Sequence, residues 1–327
     1  MKRILSALFA LFLVQTTASA SEECWQTVTT NVFLWHCAAE HLPAKGAEDF
    51  ALQLMVVKGK KSLLVFDSGS TAKVGEAAAK AIRDKFGTTP VWIVDGQPRP
   101  EHVMGNIGFA RVYTANQADQ KDFANRILAG KQTADLMGDR CTRCVEIVGE
   151  QIGKEAVAGT EPLKPLGVLT GKSGHFGYYD SDWVRWKYQL LPQLQSEQAL
   201  VARNADLGVF WVNSLVQPRR VPNLLDGDFL KQIAFLGKQV YDKTPPVYYV
   251  SSYGVLNPDW IKRNFDYFSG LQEQIYIAME RGDNEVEIID ELTKSLKEKH
   301  PDLTDKEVEV HQLNVQRIFH QMEDSNF

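Results

Sequence analysis

The chain has 327 residues, 44% of them hydrophobic with seven Trp, and a formal net charge of −5. That composition buries a sizeable core and argues against disorder except at the extreme C-terminus. Without a basic excess, neither nucleic acid nor an anionic membrane is expected as partner. In chain order, Lys2 and Arg3 precede an apolar run over 4–14, and Ala18-Ser19-Ala20 offers a small-residue cleavage site before Ser21. The run is shorter than the roughly 20 apolar residues of a membrane span. The expectation is a signal peptide over 1–20 and a mature chain over 21–327, periplasmic or secreted, with no membrane insertion after cleavage.

Residues 25–35 alternate loosely with β-branched side chains, and 51–57 reads as a half-buried strand before a polar turn at 58–61. A buried strand over 63–66 ends at Asp67-Ser68-Gly69-Ser70, where Ser70 or Thr71 caps a helix carrying Val74, Ala78 and Ile82 inward and stopping at Gly87. With a strand at 91–94, this order argues for an α/β layered fold. Residues 116–145 look helical and polar, and 160–195 shows no clear period. Further strands are expected at 199–202, 207–212 and 247–250. From Trp260 the chain turns helical, and Thr304-Asp305-Lys306-Glu307 is a capping box opening a last helix. No repeat or linker interrupts the chain, so one domain with a C-terminal helical extension is expected.

The four cysteines are Cys24, Cys37, Cys141 and Cys144. In an oxidising compartment pairing is the default. Spacing suggests Cys24 with Cys37 and Cys141 with Cys144, although three connectivities are possible. Cys141-Thr142-Arg143-Cys144 also has the spacing of a thiol redox motif, the alternative to a structural disulfide.

Four stretches together resemble the metallo-β-lactamase fold, in particular its exported subgroup of quinoprotein relay system zinc metallohydrolases. They are Phe66-Asp67-Ser68-Gly69-Ser70 with its helix, Pro98-Arg99-Pro100-Glu101-His102-Val103-Met104-Gly105-Asn106, the Cys141–Cys144 element followed by Ala158-Gly159-Thr160-Glu161, and the helix from His311 to Glu323. The resemblance implies an αββα sandwich with its site at one edge of two sheets. It also implies one or two zinc ions, held by a His-x-His-x-Asp-His loop, a later His, a bridging Asp and a final His. Zinc takes such imidazole and carboxylate donors and leaves a position for water, which it activates.

This chain departs from that pattern at nearly every ligand. The loop positions hold Gln97, Arg99, Glu101 and His102, of which only His102 matches outright. The later positions are similar to Gln195, Ser214 and Tyr253. Gln is a poor zinc ligand, Ser and Tyr would have to ionise, and Arg stays protonated. At an effective dielectric near 20, two unit charges about 4 Å apart interact by roughly 4 kcal/mol, so a guanidinium there opposes a dication. Two readings stay open. In one, Arg99 is a fixed cation in the former metal place, paired with Glu101 and surrounded by Gln97, Gln195, Ser214 and Tyr253. In the other, these residues close an abandoned cleft.

Among the remaining candidates, His36 and His41 read as surface or packing residues, and Arg219-Arg220 as a solvated pair at the cleft rim. Gly174-His175-Phe176-Gly177 with Asp180 and Asp182 is the one place for a relocated metal. The expected function is a non-catalytic periplasmic binding or accessory protein without cofactor. It takes a small, anionic ligand, and the resemblance suggests a quinoprotein system as partner. The alternative is a hydrolase with residual zinc at His102 and Glu101 or metal relocated to His175.

Overall fold

The computed structural model describes residues 23–43 and 47–325, so the expected signal peptide lies outside the described residues. The first sheet runs in spatial order β1 (Trp25–Thr29), β2 (Val32–Trp35), β3 (Leu54–Lys58), β4 (Leu63–Phe66), β5 (Val91–Asp95), β6 (Ile127–Gly130) and β7 (Gly167–Leu169). Its first four strands pair antiparallel and β4 to β7 pair parallel. The second sheet contains β8 (Ser173–His175), β9 (Lys187–Pro192), β10 (Gln198–Asn204), β11 (Val209–Asn213), β12 (Tyr248–Ser251) and β13 (Gly254–Leu256), with β11 and β12 parallel. The helices are α1 (Ala47–Phe50), α2 (Ala72–Phe86), α3 (Pro100–Val103), α4 (Asn106–Tyr113), α5 (Gln117–Phe123), α6 (Lys131–Ile152), α7 (Phe229–Val240), α8 (Asp259–Arg281), α9 (Glu285–Lys299) and α10 (Asp305–Asp324).

Three apolar layers account for the stacking. Successive side chains of a strand face opposite ways. In β4, Leu64 and Phe66 join Val94, Trp186 and Trp211 between the sheets, while Leu63 and Val65 pack outward against Val74, Ala78 and Ile82 of α2. The outer face of the second sheet, through Val201, Phe210, Val212 and Tyr249, packs on apolar side chains of α7 to α10. The result is the αββα sandwich, with the C-terminal helices forming one of its two outer layers.

Local chemistry sets the element ends. Thr71 caps α2 by accepting from the Val74 amide at 3.2 Å, and Thr304 with Glu307 forms the capping box of α10. The stretch 25–35 is a hairpin of two strands with Trp25 opposite Trp35, closed at its open end by the Cys24–Cys37 disulfide. The helix expected over 116–145 is broken by β6, a four-residue strand that is buried throughout. Periodicity cannot separate so short an apolar run from a buried helix turn. Residues 160–195 contain β7, β8 and β9; β7 and β9 alternate in burial, but β7 and β8 are only three residues long, too short to show a period.

Candidate functional site

The C-terminal ends of the parallel pairs β4–β5 and β11–β12 meet at one edge of the sandwich. Asp67 follows β4 at φ 63°, Asn213 closes β11 at φ 57°, and Gln195 lies in the β9–β10 turn at φ 57°. Backbone held in the left-handed region by residues other than glycine clusters at functional sites. The loop carrying α3 is stapled beneath Asp67: Ser68 N–H donates to the His102 carbonyl and Gly105 N–H to the Gly69 carbonyl, each at 2.8 Å. A Cβ at Gly105 would stand 1.9 Å from the Ser68 carbonyl oxygen, so only glycine permits this approach. The staple drives the His102 side chain into the interior.

There it joins a buried polar network. His102 Nδ1 lies 2.7 Å from Asp67 Oδ2, whose other oxygen accepts from the Gly96 amide at 3.0 Å. His102 Nε2 faces Ser214 Oγ at 3.4 Å. The Ser214 hydroxyl accepts from Gln97 Nε2 at 2.8 Å and donates to Gln195 Oε1 at 3.0 Å. Asn213 Oδ1 collects the Ser214 amide at 2.6 Å, and Ser252 Oγ reaches Asp67 Oδ2 at 3.3 Å. Burial works against the imidazolium, but the Asp67 carboxylate and its hydrogen bond prevail and raise the His102 pKa.

The structure thus brings Gln97, His102, Gln195 and Ser214 together and sets Arg99, Glu101 and Tyr253 apart as an outer rim. Arg99 does not stand as a cation among Gln97, Gln195 and Ser214, as one sequence reading had it. Its Nε–H donates to Glu101 at 2.8 Å, Nη1 lies 3.8 Å from Asp226, and its side chain is 24% exposed. The physical reason is the staple: it points His102 inward, where His102 takes up the one inner carboxylate, Asp67, and leaves Arg99 to pair with Glu101. The inner position therefore belongs to His102. Burial pushes the Glu101 carboxyl up, but Arg99 and His102 together hold it below its ordinary value. Tyr253, lying 5.3 Å beneath the Arg219 guanidinium, is pushed up to about 12 by burial. Two cavities of about 210 and 670 Å³ open on this rim, both lined by Arg99 and Glu101.

Other candidates separate from the site. Asp180 and Asp182 accept from Ser62 Oγ and the Lys61 amide, and His175 stacks on Tyr178 at 4.4 Å, so the structure does not assemble them as a metal site. His36 is exposed, His41 stacks on Trp35, and Arg220 pairs with Asp302 at 2.6 Å. Cys141 and Cys144 are not joined as a disulfide was expected to join them. They lie one turn apart inside α6, where the helix already orders both residues. Asp67, Asn213 and Ser252 are functional candidates that sequence reasoning missed; the one available sign was an Asp and an Asn directly ending fully apolar strands.

The donors present do not fit zinc. Both ring nitrogens of His102 face network partners, Glu101 is paired to Arg99, and Gln97, Gln195 and Ser214 are neutral and mutually hydrogen-bonded. Among the described residues, the one set of three His, Cys, Asp or Glu side chains with donor atoms within 4.8 Å of one another is Cys24, Cys37 and Glu40, and its sulfurs are already bonded to each other. Ser214, His102 and Asp67 stand in the order of a nucleophilic triad. Yet Ser214 is 4% exposed, its amide is spent on Asn213 rather than aimed at an oxyanion, and neither rim cavity reaches it.

No protein-family model and no curated protein matches the chain by sequence. Solved structures do match in shape. The stereoselective inverting sec-alkylsulfatase from a Pseudomonas species is similar over 91% of this chain and 50% of its own, at TM-score 0.63 and 11% identity. Metallo-β-lactamases from Pontibacter korlensis and Erythrobacter litoralis are similar over 75% of this chain and 98% and 96% of theirs, at TM-scores 0.51 and 0.52 and identities 13% and 11%. The chain has the metallo-β-lactamase fold. It spans about half the length of the alkylsulfatase, and at these identities the likeness concerns fold alone.

Proposed function

We propose that the chain is a zinc-free, non-catalytic member of this fold that binds a small anionic ligand at its rim. The observation that carries the reading is the buried inner network, in which both ring nitrogens of His102 face Asp67 and Ser214 and the Ser214 hydroxyl is engaged by Gln97 and Gln195. Above it, Arg99 shares its charge with Asp226, a residue whose side chain is 74% exposed and 3.8 Å away. Such a solvated pair contributes little and exchanges readily for an incoming anion. Arg219 and Lys306 line the same cavity. Export to the periplasm through residues 1–20, one folded unit over the mature chain, and an accessory role beside a quinoprotein system complete the proposal.

Metal analysis of protein purified without chelators tests it, with substoichiometric zinc expected. Stoichiometric zinc that disappears together with a hydrolytic activity in His102→Ala would overturn the reading. Calorimetric titration with sulfate and with small dicarboxylates is expected to show binding that weakens in Arg99→Ala. N-terminal sequencing of protein from the periplasmic fraction is expected to begin near Ser21.

A further inference from the structure

Helix α6 carries Met137, Cys141 and Cys144, spaced four and three residues apart, which aligns them on one helical face. Met104, just past α3, packs against them, and the four sulfur-bearing side chains form one cluster with Val103 and Val145. Met104, Met137 and Cys141 are buried, whereas Cys144 lines the 670 Å³ cavity and gives the cluster an opening. Cys144 stands close enough to be the largest cause that pushes the Cys141 thiol up. A second feature adjoins them. The buried Asp95 carboxyl bears electrostatically on Cys141, and its Oδ1 has no hydrogen-bond partner among the described residues.

We propose that Cys141, Cys144, Met104 and Met137 form a binding site for a soft monovalent metal ion, copper(I). Thiolate and thioether sulfurs are the donors that select this ion over zinc, magnesium or calcium. On binding, each thiol releases its proton to solvent as its metal–sulfur bond forms, and the thioethers coordinate without proton loss. The ion keeps its oxidation state, so no oxidant or reductant is consumed. Disulfide exchange would use the two cysteines alone and leave the two methionines without a part. Methionine also fills gaps in ordinary cores, so the thioethers are what the experiment isolates. The site is separate from the His102 network and stands or falls independently of the zinc-free reading.

The test titrates the mature chain, with Cys141 and Cys144 reduced and the Cys24–Cys37 disulfide intact, anaerobically with copper(I) against a chromogenic chelator, and with silver(I) as a redox-inert probe. One equivalent of each is expected to bind. The Met104→Leu/Met137→Leu variant keeps core volume and is expected to bind about tenfold or more weakly, a loss typical of altered metal surroundings. Its two reactive thiols should remain titratable in denaturant. Cys141→Ser/Cys144→Ser is expected to lose binding. X-ray absorption of the copper(I) form provides a readout that needs no variant, with more than two sulfur neighbours expected. Absence of stoichiometric binding to the wild type with Cys141 and Cys144 reduced, or two-coordinate copper, or wild-type affinity in the Leu variant, sinks the proposal.

Discussion

The inner and outer halves of the site part ways in how they use polarity. Inside, Gln97, Gln195 and Ser214 are neutral, buried and hydrogen-bonded to one another around the one Asp67–His102 pair, with Gln97 Oε1 left without a partner among the described residues. Outside, Arg99, Glu101 and Asp226 are ionic and partly or largely solvated. Burial makes each unpaired polar atom expensive, so the interior pairs nearly all of its polar atoms with one another. At the rim, water screens the charges and supplies substitute partners. The same sheet edge thus holds a buried, largely neutral network below and an ionic rim above.

The largest break in that comparison is expected from Asp67→Ala. It strips a buried partner from His102 and the Gly96 amide, costing about 3–5 kcal/mol as other broken buried pairs do. Denaturant midpoints at fixed slope measure it, and a loss under about 1 kcal/mol, the range of solvated ion pairs, would mean that the inner network behaves like the rim. Ser214→Ala leaves the Gln97 amide and the Gln195 carbonyl short of a partner and should cost about 1–3 kcal/mol. Protonation of His102 sets a pH dependence. Its folded pKa is raised, so its stabilisation is fully present below the unfolded value of about 6.5 and lost as pH rises through the folded pKa. Urea midpoints should decline over that interval in the wild type and flatten in His102→Gln; parallel curves would show that His102 is not the titrating group. Arg99→Ala strips the largely buried Glu101 of its charged hydrogen-bond partner and should cost about 1–3 kcal/mol while weakening anion binding; thermal melts and calorimetry separate the two.

Much of the fold was legible because it rests on local rules. The apolar run over 63–66, the Thr71 cap and Gly87 define a strand–helix unit without reference to the rest of the chain, and the capping box at Thr304 does the same for the last helix. β6 was not legible, since four buried residues carry no readable period. The sulfur cluster was half legible: 141 and 144 are visible as a pair, but Met104 reaches them only through packing.

Residue types at 97, 99, 195, 214 and 253 by themselves show a donor set unsuited to zinc, because coordinating ability belongs to the side chain's own chemistry. Which of those residues meet was decided by tertiary structure. The Ser68–His102 and Gly105–Gly69 backbone bonds turn His102 inward and leave Arg99 at the rim. Orientation about a loop depends on contacts between segments distant in sequence, and no local pattern encodes it.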